Sequence, residues 1–203
     1  MSRSRKLPAE PLSRDEVLAL IKASSHRAPT GIRNRALIVL LWRGGLRIAE
    51  ALALLPKDLS ADDGTVRVLR GKGNKSRVVP LDPEAFAVVH RWAEKREKLG
   101  IGPRRTLICT LAGEPMKDAY VRVMLPRLAK RAGIVKRVHA HGLRHTYAVE
   151  LRKEGVDVGV ISKALGHSHI STTSTYLDHV SPQSVIDALR NRAWGGVEAV
   201  GAK

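Results

Sequence analysis

The sequence contains one cysteine, Cys109, among its 203 residues, and its aromatic content is 3%. A single cysteine excludes an internal disulfide framework and a cysteine-based zinc cluster, and it is typical of a reducing, intracellular setting. The scarcity of aromatic rings argues against a surface for single-stranded RNA, because such surfaces stack bases on aromatic side chains. Disulfide-stapled and RNA-stacking proteins are therefore the first classes to be set aside.

Long hydrophobic runs are also missing. The longest extends from Ala36 to Trp42 between two arginines, whereas a membrane-spanning helix needs roughly 20 apolar residues. The basic N-terminus, Met1 to Lys6, is followed by Leu-Pro-Ala-Glu-Pro and not by the apolar core of a signal peptide. The sequence therefore predicts a cytoplasmic protein with no membrane partner.

Acidic residues are too few to balance the basic ones. Lys and Arg total 36 against 19 for Asp and Glu, which leaves a formal net charge of +17. The charged fraction of 27% and the hydrophobic fraction of 43% are ordinary for a folded domain, so the excess cations must lie on its surface. Such a surface indicates a polyanionic partner. On charge alone, a nucleic acid, a ribosome, a membrane surface or simple solubility would each explain it.

The pattern of caps, apolar positions and breakers predicts a single compact α+β domain, mostly α with a small antiparallel β-sheet. Residues 13–16 have the form of a capping box and predict the start of the first helix. Apolar helices follow at about 32–42 and 46–55, on either side of two glycines. This arrangement places Arg47 and Glu50 at a helix start.

Residues 65–80 alternate with the period of β-strands around a turn rich in glycine and lysine. They predict a β-hairpin with strands at 65–70 and 76–80 and with Lys72 at its tip. A third short strand is expected at 106–109. Further helices, most of them ended by glycine, are expected at about 83–99, at 117–132 with a kink at Pro126, at 143–154, at 158–165, around Tyr176 and at 182–194.

Two histidines and an arginine lie around the start of the helix expected at 143–154, with the spacing of one helix face. His141, Arg144 and His145 are three and four positions apart, which makes them neighbours on a helix surface. Two histidines at this spacing also suggest a metal site, but the zinc-protease pattern needs a glutamate where Gly142 stands. An arginine suits a phosphate, because its planar fork pairs with two phosphate oxygens at once. By itself the motif also fits a basic helix face that binds nothing.

Other segments carry residues of related chemistry. Gly45-Leu-Arg47-Ile-Ala-Glu50 supplies an arginine and a carboxylate, and Leu165-Gly-His167 precedes a Ser/Thr-rich stretch that ends at Tyr176. In order and spacing, the residues that resemble the signature of the tyrosine recombinase (phage integrase) family are Arg47, Lys72, His141, Arg144, His167 and Tyr176. The resemblance covers about residues 10–180. Each residue is a weak signal alone, but six in one fixed order are specific.

The chemistry of such a set follows from what phosphodiester cleavage demands. Negative charge grows on the non-bridging oxygens, and Arg47 and Arg144 can hold it as preorganised donors. A tyrosine hydroxyl, with a pKa of about 10, needs help to lose its proton at neutral pH, and His141 is the candidate base for Tyr176. The leaving 5′ oxygen needs a proton, which Lys72 can donate from the hairpin tip.

Two further residues are expected to support this set. His167 can donate a hydrogen bond to a phosphate oxygen, and Glu50 can accept one from His141 and fix its orientation. Each assignment has an alternative: Glu50 could merely complement the helix dipole, and the second lysine of the turn competes with Lys72. His145 is expected to be a supporting or core histidine and not a catalyst.

The resemblance implies the tyrosine recombinase catalytic-domain fold, a 3′-phosphotyrosyl intermediate, no metal and no cofactor. It also implies double-stranded DNA as the partner and a homotetramer on that DNA, in a prokaryote or encoded by a phage. We expect a site-specific DNA recombinase. The alternatives are a type IB topoisomerase-like relaxer and a non-catalytic DNA-binding module on the same fold, although a mere binder has no use for a positioned tyrosine.

Three segments are expected on this basis. Residues 1–12 form a basic leader, residues 13–180 the catalytic domain, and residues 181–203 a C-terminal helix and tail that could dock on a neighbouring protomer. Most family members carry a separate helical DNA-clamping domain before the catalytic one. Only about a dozen residues precede the first helix of this sequence and no separate clamping domain is expected in it, so it is either a natural single-domain member or an isolated catalytic domain.

Overall fold

A computed structural model describes residues 10–69 and 76–166 of the chain. Lys72, His167, Tyr176 and the expected C-terminal helix lie outside the described residues, so their placement stays a prediction. The helices are α1 (Arg14–Lys22), α2 (Pro29–Trp42), α3 (Ile48–Ala53), α4 (Pro83–Lys98), α5 (Asp118–Arg131), α6 (Ala140–Lys153) and α7 (Val158–Leu165). The strands are β1 (Leu59–Ser60), β2 (Thr65–Val68) and β3 (Arg77–Pro80), and a 3-10 turn (Pro56–Asp58) precedes them. The predicted class, mostly α with a small antiparallel sheet, is confirmed.

The starts of α1 and α4 follow the local capping signals. The Ser13 hydroxyl accepts a hydrogen bond from the Glu16 backbone N–H at 3.1 Å, and the Glu16 carboxylate accepts one from the Ser13 N–H at 2.6 Å. Asp82 caps α4 in the same way by accepting from the Ala85 N–H at 3.0 Å. Each bond satisfies a backbone donor that the helix itself leaves without a partner. The capping box predicted for α1 and the N-cap predicted for α4 are confirmed.

Helix α2 is the centre of the core. Its residues from Ala36 to Trp42 are buried, and the helix packs mainly against α4 and α6. Apolar residues on all sides are typical of a helix surrounded by protein. The apolar run from Ala36 to Trp42 therefore forms the centre of the core. In the part of the chain described here, no helix is long and apolar enough to cross a membrane.

The sheet has the order β1-β2-β3 with antiparallel neighbours. Val66 pairs with Val79 across β2 and β3, and both side chains are buried. The prediction of a third strand at 106–109 was wrong, because the third strand is β1 and Cys109 forms only an isolated bridge. The Leu107 backbone instead bonds outside the sheet, to the Leu54 carbonyl and to the Trp92 indole N–H.

Two helix boundaries that matter for the site differ from the expectation. Helix α3 is shorter than predicted, and Arg47 is its N-cap residue. Helix α6 begins at Ala140, earlier than predicted, so that His141 lies in its first turn and on the same helix as Arg144. Helix α7 ends at Leu165, and its C-cap residue Gly166 adopts the left-handed conformation with φ of 65°.

Candidate active site

Three elements, α3, β3 and α6, meet around the carboxylate of Glu50. Glu50 lies in the first turn of α3, next to Arg47 at the helix start. Arg77 reaches it from β3, and Arg144 reaches it from α6. Glu50 is only 7% exposed, so this carboxylate is an interior group with cations on several sides. We call Glu50, Arg47, Arg77 and Arg144 the arginine cluster.

Both oxygens of Glu50 accept hydrogen bonds from two residues. Arg77 donates through Nη1 and Nη2 to Oε1 and Oε2, each at 2.8 Å. Arg47 donates through Nη1 to Oε1 at 3.0 Å and through its backbone N–H to Oε2 at 2.7 Å. The sequence analysis predicted that His141 donates a hydrogen bond to Glu50, but in the structure the side chains that donate to Glu50 are those of Arg47 and Arg77. Its part in the site is therefore to hold guanidinium groups.

This environment keeps Glu50 ionised. Burial by itself would raise the pKa of Glu50, but hydrogen bonds from Arg77 and from the Arg47 backbone outweigh it and lower the pKa to about 2. Three guanidinium groups surround one carboxylate, which leaves an excess of two positive charges in the cluster. An excess of this size suits a phosphodiester whose attack creates further negative charge.

Arg144 is held rigidly at the centre of the cluster. Its side chain is 2% exposed, and it donates to the Gly45 carbonyl at 2.5 Å and to the Leu165 carbonyl at 2.7 Å. Gly45 has a φ of 57°, and a Cβ there would lie 2.5 Å from the Tyr147 ring. Only glycine adopts this φ and fits against that ring without strain, which explains the glycine before Leu46 and Arg47.

Arg47 is the solvent-facing member of the cluster. Its side chain is 42% exposed, and its Nη2 donates to the Gly166 carbonyl at 3.2 Å. Gly166 and Leu165 lie at the C-terminal end of α7, where helix carbonyls carry partial negative charge. We call Arg47 and Arg144, the two arginines predicted to hold the phosphate, the phosphate clamp. Both donate to this helix end, and residue 167 follows it directly.

His141 lies beside the clamp with conditions suited to a base. Its side chain is exposed at the surface, yet the surrounding protein desolvates the ring enough to lower the pKa of His141. The positive charges of Arg144, His139 and Arg47 lower it further. A lowered pKa favours the neutral form of the ring, which is the form that can accept a proton.

The structure thus brings together Arg47, Glu50, His141 and Arg144 of the predicted set. His145, the other predicted supporting residue, is 3% exposed in the interior of α6. Lys72 belongs to the segment between β2 and β3, outside the described residues, as are His167 and Tyr176. Within 10–69 and 76–166, no group of three or more His, Cys, Asp or Glu side chains could hold a metal ion.

Arg77 is the member of the cluster that the sequence analysis missed. It lies on β3 two residues before Val79, so both side chains share a face of the strand, and Val79 is buried. An arginine on the buried face of a strand needs a carboxylate partner. The strand pattern could therefore have predicted that Arg77 pairs with a buried carboxylate, although it could not identify Glu50 as that partner.

The sequence profile of the phage integrase family matches residues 10–182, which is most of the chain. The chain belongs to the phage integrase family. Tyrosine recombinase XerC of Xanthomonas axonopodis pv. citri (strain 306) is 37% identical over 191 residues, covering 93% of this chain and 61% of the relative. The chain therefore spans about three fifths of the length of this relative from the phage integrase family.

Solved structures of related recombinases share the fold. The crystal structure of XerA recombinase matches with a TM-score of 0.80 and 26% identity, over 96% of this chain and 68% of that one. XerH site-specific recombinase, in a post-cleavage complex with palindromic difH substrate, matches with a TM-score of 0.74 and 29% identity, over 92% of this chain and 54% of that one. The family and the catalytic-domain fold predicted from the sequence are confirmed.

Proposed function

We propose that the chain is the catalytic part of a site-specific DNA recombinase that cleaves and rejoins duplex DNA through a covalent 3′-phosphotyrosyl intermediate at Tyr176. The observation that carries this proposal is the meeting of Arg47 and Arg144 at Glu50 and at the end of α7. The names of the relatives, and the DNA-bound state of XerH, support a recombinase over a simple relaxer or a non-catalytic binder.

In the proposed reaction the scissile phosphate contacts Arg47 and Arg144. The excess positive charge of the arginine cluster stabilises the charge that grows on the non-bridging oxygens during attack. Because Arg144 is held by two backbone carbonyls, it needs little reorganisation when the phosphate arrives. These arginines supply the positive charge, so we propose a reaction that requires neither a metal nor a cofactor.

The proton transfers are assigned to residues on either side of the phosphate. His141 accepts the hydroxyl proton of Tyr176 as the phenolic oxygen attacks phosphorus. The new bond joins that oxygen to the 3′ phosphate, the bond to the 5′ oxygen breaks, and Lys72 supplies the proton that this oxygen gains. His167 donates a hydrogen bond to a phosphate oxygen. Attack by a 5′ hydroxyl of DNA reverses these steps and releases Tyr176.

The proposed partner is double-stranded DNA, on which four copies of the chain assemble. The formal charge of +17 supports the DNA partner. In this proposal residues 1–12 are a basic leader, residues 13–180 the catalytic domain, and residues 181–203 a helix and tail that dock on a neighbouring protomer. The proposed setting is the cytoplasm of a bacterium, on the DNA of the nucleoid.

A nicked suicide duplex tests the nucleophile, because loss of a short 5′ fragment traps the covalent adduct. We expect the unchanged protein to form a denaturation-resistant DNA adduct on duplexes that carry its target site, and Tyr176→Phe to form none. Tyr120→Phe is the matched control, since Tyr120 is a surface residue that contacts Arg33 on α2. An adduct with Tyr176→Phe would show that another residue is the nucleophile.

The same assay tests the clamp. Arg144→Ala should slow cleavage by about 10²–10³-fold, the usual cost of one lost oxyanion donor.

Deleting residues 181–203 separates a recombinase from a relaxer: we expect DNA binding to persist and complete strand exchange to be lost. A truncated protein that still exchanges strands between two duplexes would show that the C-terminal segment is not needed for assembly.

A further inference from the structure

Arg77 is a member of the arginine cluster for which the proposed reaction has no direct use. Its side chain is 15% exposed and pairs with the buried carboxylate of Glu50, so both charges are largely removed from water. Its Nε is also shielded from solvent and has no hydrogen-bond acceptor among the described residues. Buried ion pairs of this kind contribute little net stability compared with apolar side chains. A role in positioning other groups explains why an arginine stands there.

The contacts of Glu50 show which groups would be positioned. Arg77 makes a two-bond, fork-to-fork contact that sets the plane of the carboxylate, because each Nη bonds a different oxygen. The Arg47 side chain makes one bond to the same carboxylate, and Arg144 Nη1 lies 3.9 Å from Oε2. Arg77 therefore contributes to the orientation of Glu50 and of the Arg47 side chain bonded to it, whereas Arg144 is held by backbone carbonyls and lies beside the same carboxylate.

A second contact links Arg77 to the end of α7. A Cβ built on Gly166 would lie 3.0 Å from Arg77 Nη1, so the guanidinium group rests against this glycine. The Gly166 carbonyl accepts from Arg47. Arg77 thus supports Arg47 through Glu50 and through the residue that ends α7.

We propose that Arg77 is a positioning residue for DNA cleavage: it occupies both oxygens of Glu50 and so leaves Arg47 and Arg144 oriented towards the scissile phosphate. Without Arg77, the Glu50 carboxylate would turn its vacant lone pairs to Arg47 and Arg144 and compete with the phosphate for their N–H groups. The excess positive charge of the cluster would also fall from two to one. This inference rests on the proposed function.

The test uses the full chain, with Arg77→Ala and Arg77→Lys compared in single-turnover cleavage at saturating DNA. Lysine keeps the charge but cannot bond two oxygens as a planar fork, so both variants should cleave slowly. Residues that orient metal ligands through hydrogen bonds offer an analogy. On that basis we expect a single-turnover cleavage rate about 10–100-fold lower and an unchanged Kd for DNA. Arg67→Ala is the matched control, because Arg67 lies on the adjacent strand, is 54% exposed and contacts Asp58 only at 3.8 Å.

Two altered substrates identify the route by which Arg77 acts. A methylphosphonate at the scissile position carries no negative charge, so it depends less on the arginines, and the Arg77 variants should approach the unchanged protein on it. A 5′-bridging phosphorothiolate has a leaving sulfur that needs no proton, so it relieves defects of the general acid. We expect little recovery with the phosphorothiolate.

Three results would overturn the inference. In the first, Arg77→Ala cleaves the ordinary phosphodiester as fast as the unchanged protein does. In the second, the cleavage rate of Arg77→Ala recovers on the phosphorothiolate and not on the methylphosphonate. Both variants could also be equally slow on all three substrates and have a lower Tm, which would mean that Arg77 only supports the fold. Failure of the unchanged protein to cleave any duplex that carries its target site would overturn the proposed function itself, and the inference with it.

Discussion

The body of the domain and its last described helix are held in different ways. Around α2, α4 and α5 one large core buries apolar side chains from almost every element. Helix α7 instead packs through a small cluster in which Ala148, Ile161 and Leu165 are buried. Its C-terminal carbonyls are bound by Arg47 and Arg144. The body is thus stabilised by apolar burial, whereas α7 is held in part by the same arginines that we assign to the phosphate.

The comparison predicts that loss of a buried side chain from the large core destabilises the whole domain. Trp92 is fully buried on α4, and its indole N–H donates to the Leu107 carbonyl at 2.7 Å. Trp92→Ala should lower the free energy of unfolding by about 3–5 kcal/mol, because it leaves a large cavity and an unpaired carbonyl. Urea denaturation measures this, with Val135→Ala as the control because Val135 is fully exposed. A loss no larger than that of the control would contradict this description of the core.

Acid should act on the arginine cluster. The folded-state pKa of Glu50 is about 2 against an ordinary value of 4.5, so its contribution is fully present above pH 4.5 and is lost as the pH falls towards 2. At 1.36 kcal/mol per pKa unit, this contribution is roughly 3 kcal/mol. Urea denaturation of the unchanged protein and Glu50→Gln between pH 7 and about pH 3 measures the part of it that is lost by pH 3, roughly 2 kcal/mol. If the two proteins lose stability in parallel over this range, Glu50 is not the group responsible.

Helix α7 should open without unfolding of the body. Ile161→Ala removes a fully buried side chain from the small cluster, at a cost of roughly 2 kcal/mol. Hydrogen exchange of the α7 amides should then be about 30-fold faster, while α2 amides keep their protection. Val160→Ala is the control within the same helix, since Val160 is 55% exposed. Equal acceleration in α2 and α7 would show that the two regions form one cooperative unit.

The smallest expected effect concerns the charges around His141. His139 is one of the groups whose charge lowers the pKa of His141, and their rings lie 6.4 Å apart. His139→Gln should raise the pKa of His141, so the acidic limb of the cleavage-rate profile should move to higher pH. His90→Gln, on the exposed side of α4, is the control. A limb that stays in place or moves to lower pH would mean that His139 does not act on the base.

Local signals in the sequence were reliable where one residue decides the backbone. Ser13 and Asp82 cap helices as predicted, and the glycines at 155 and 166 adopt the positive φ expected of helix stops. The prediction of a strand at 106–109 was wrong because the conformation of this segment depends on contacts with distant parts of the chain. Its apolar residues are buried by packing, and the Leu107 backbone groups bond to distant elements.

The sequence by itself determined the family, the fold class and the order of the six residues assigned to the reaction, because caps, breakers and motif spacing are local properties of the chain. The tertiary structure alone decided that Glu50 holds arginines, that Arg77 joins them from β3, and that the end of α7 accepts from both clamp residues. A buried charge takes whichever partner the folded chain brings within hydrogen-bonding distance. Glu50 and Arg77 are 27 positions apart in sequence, and no local pattern specifies their distance in space.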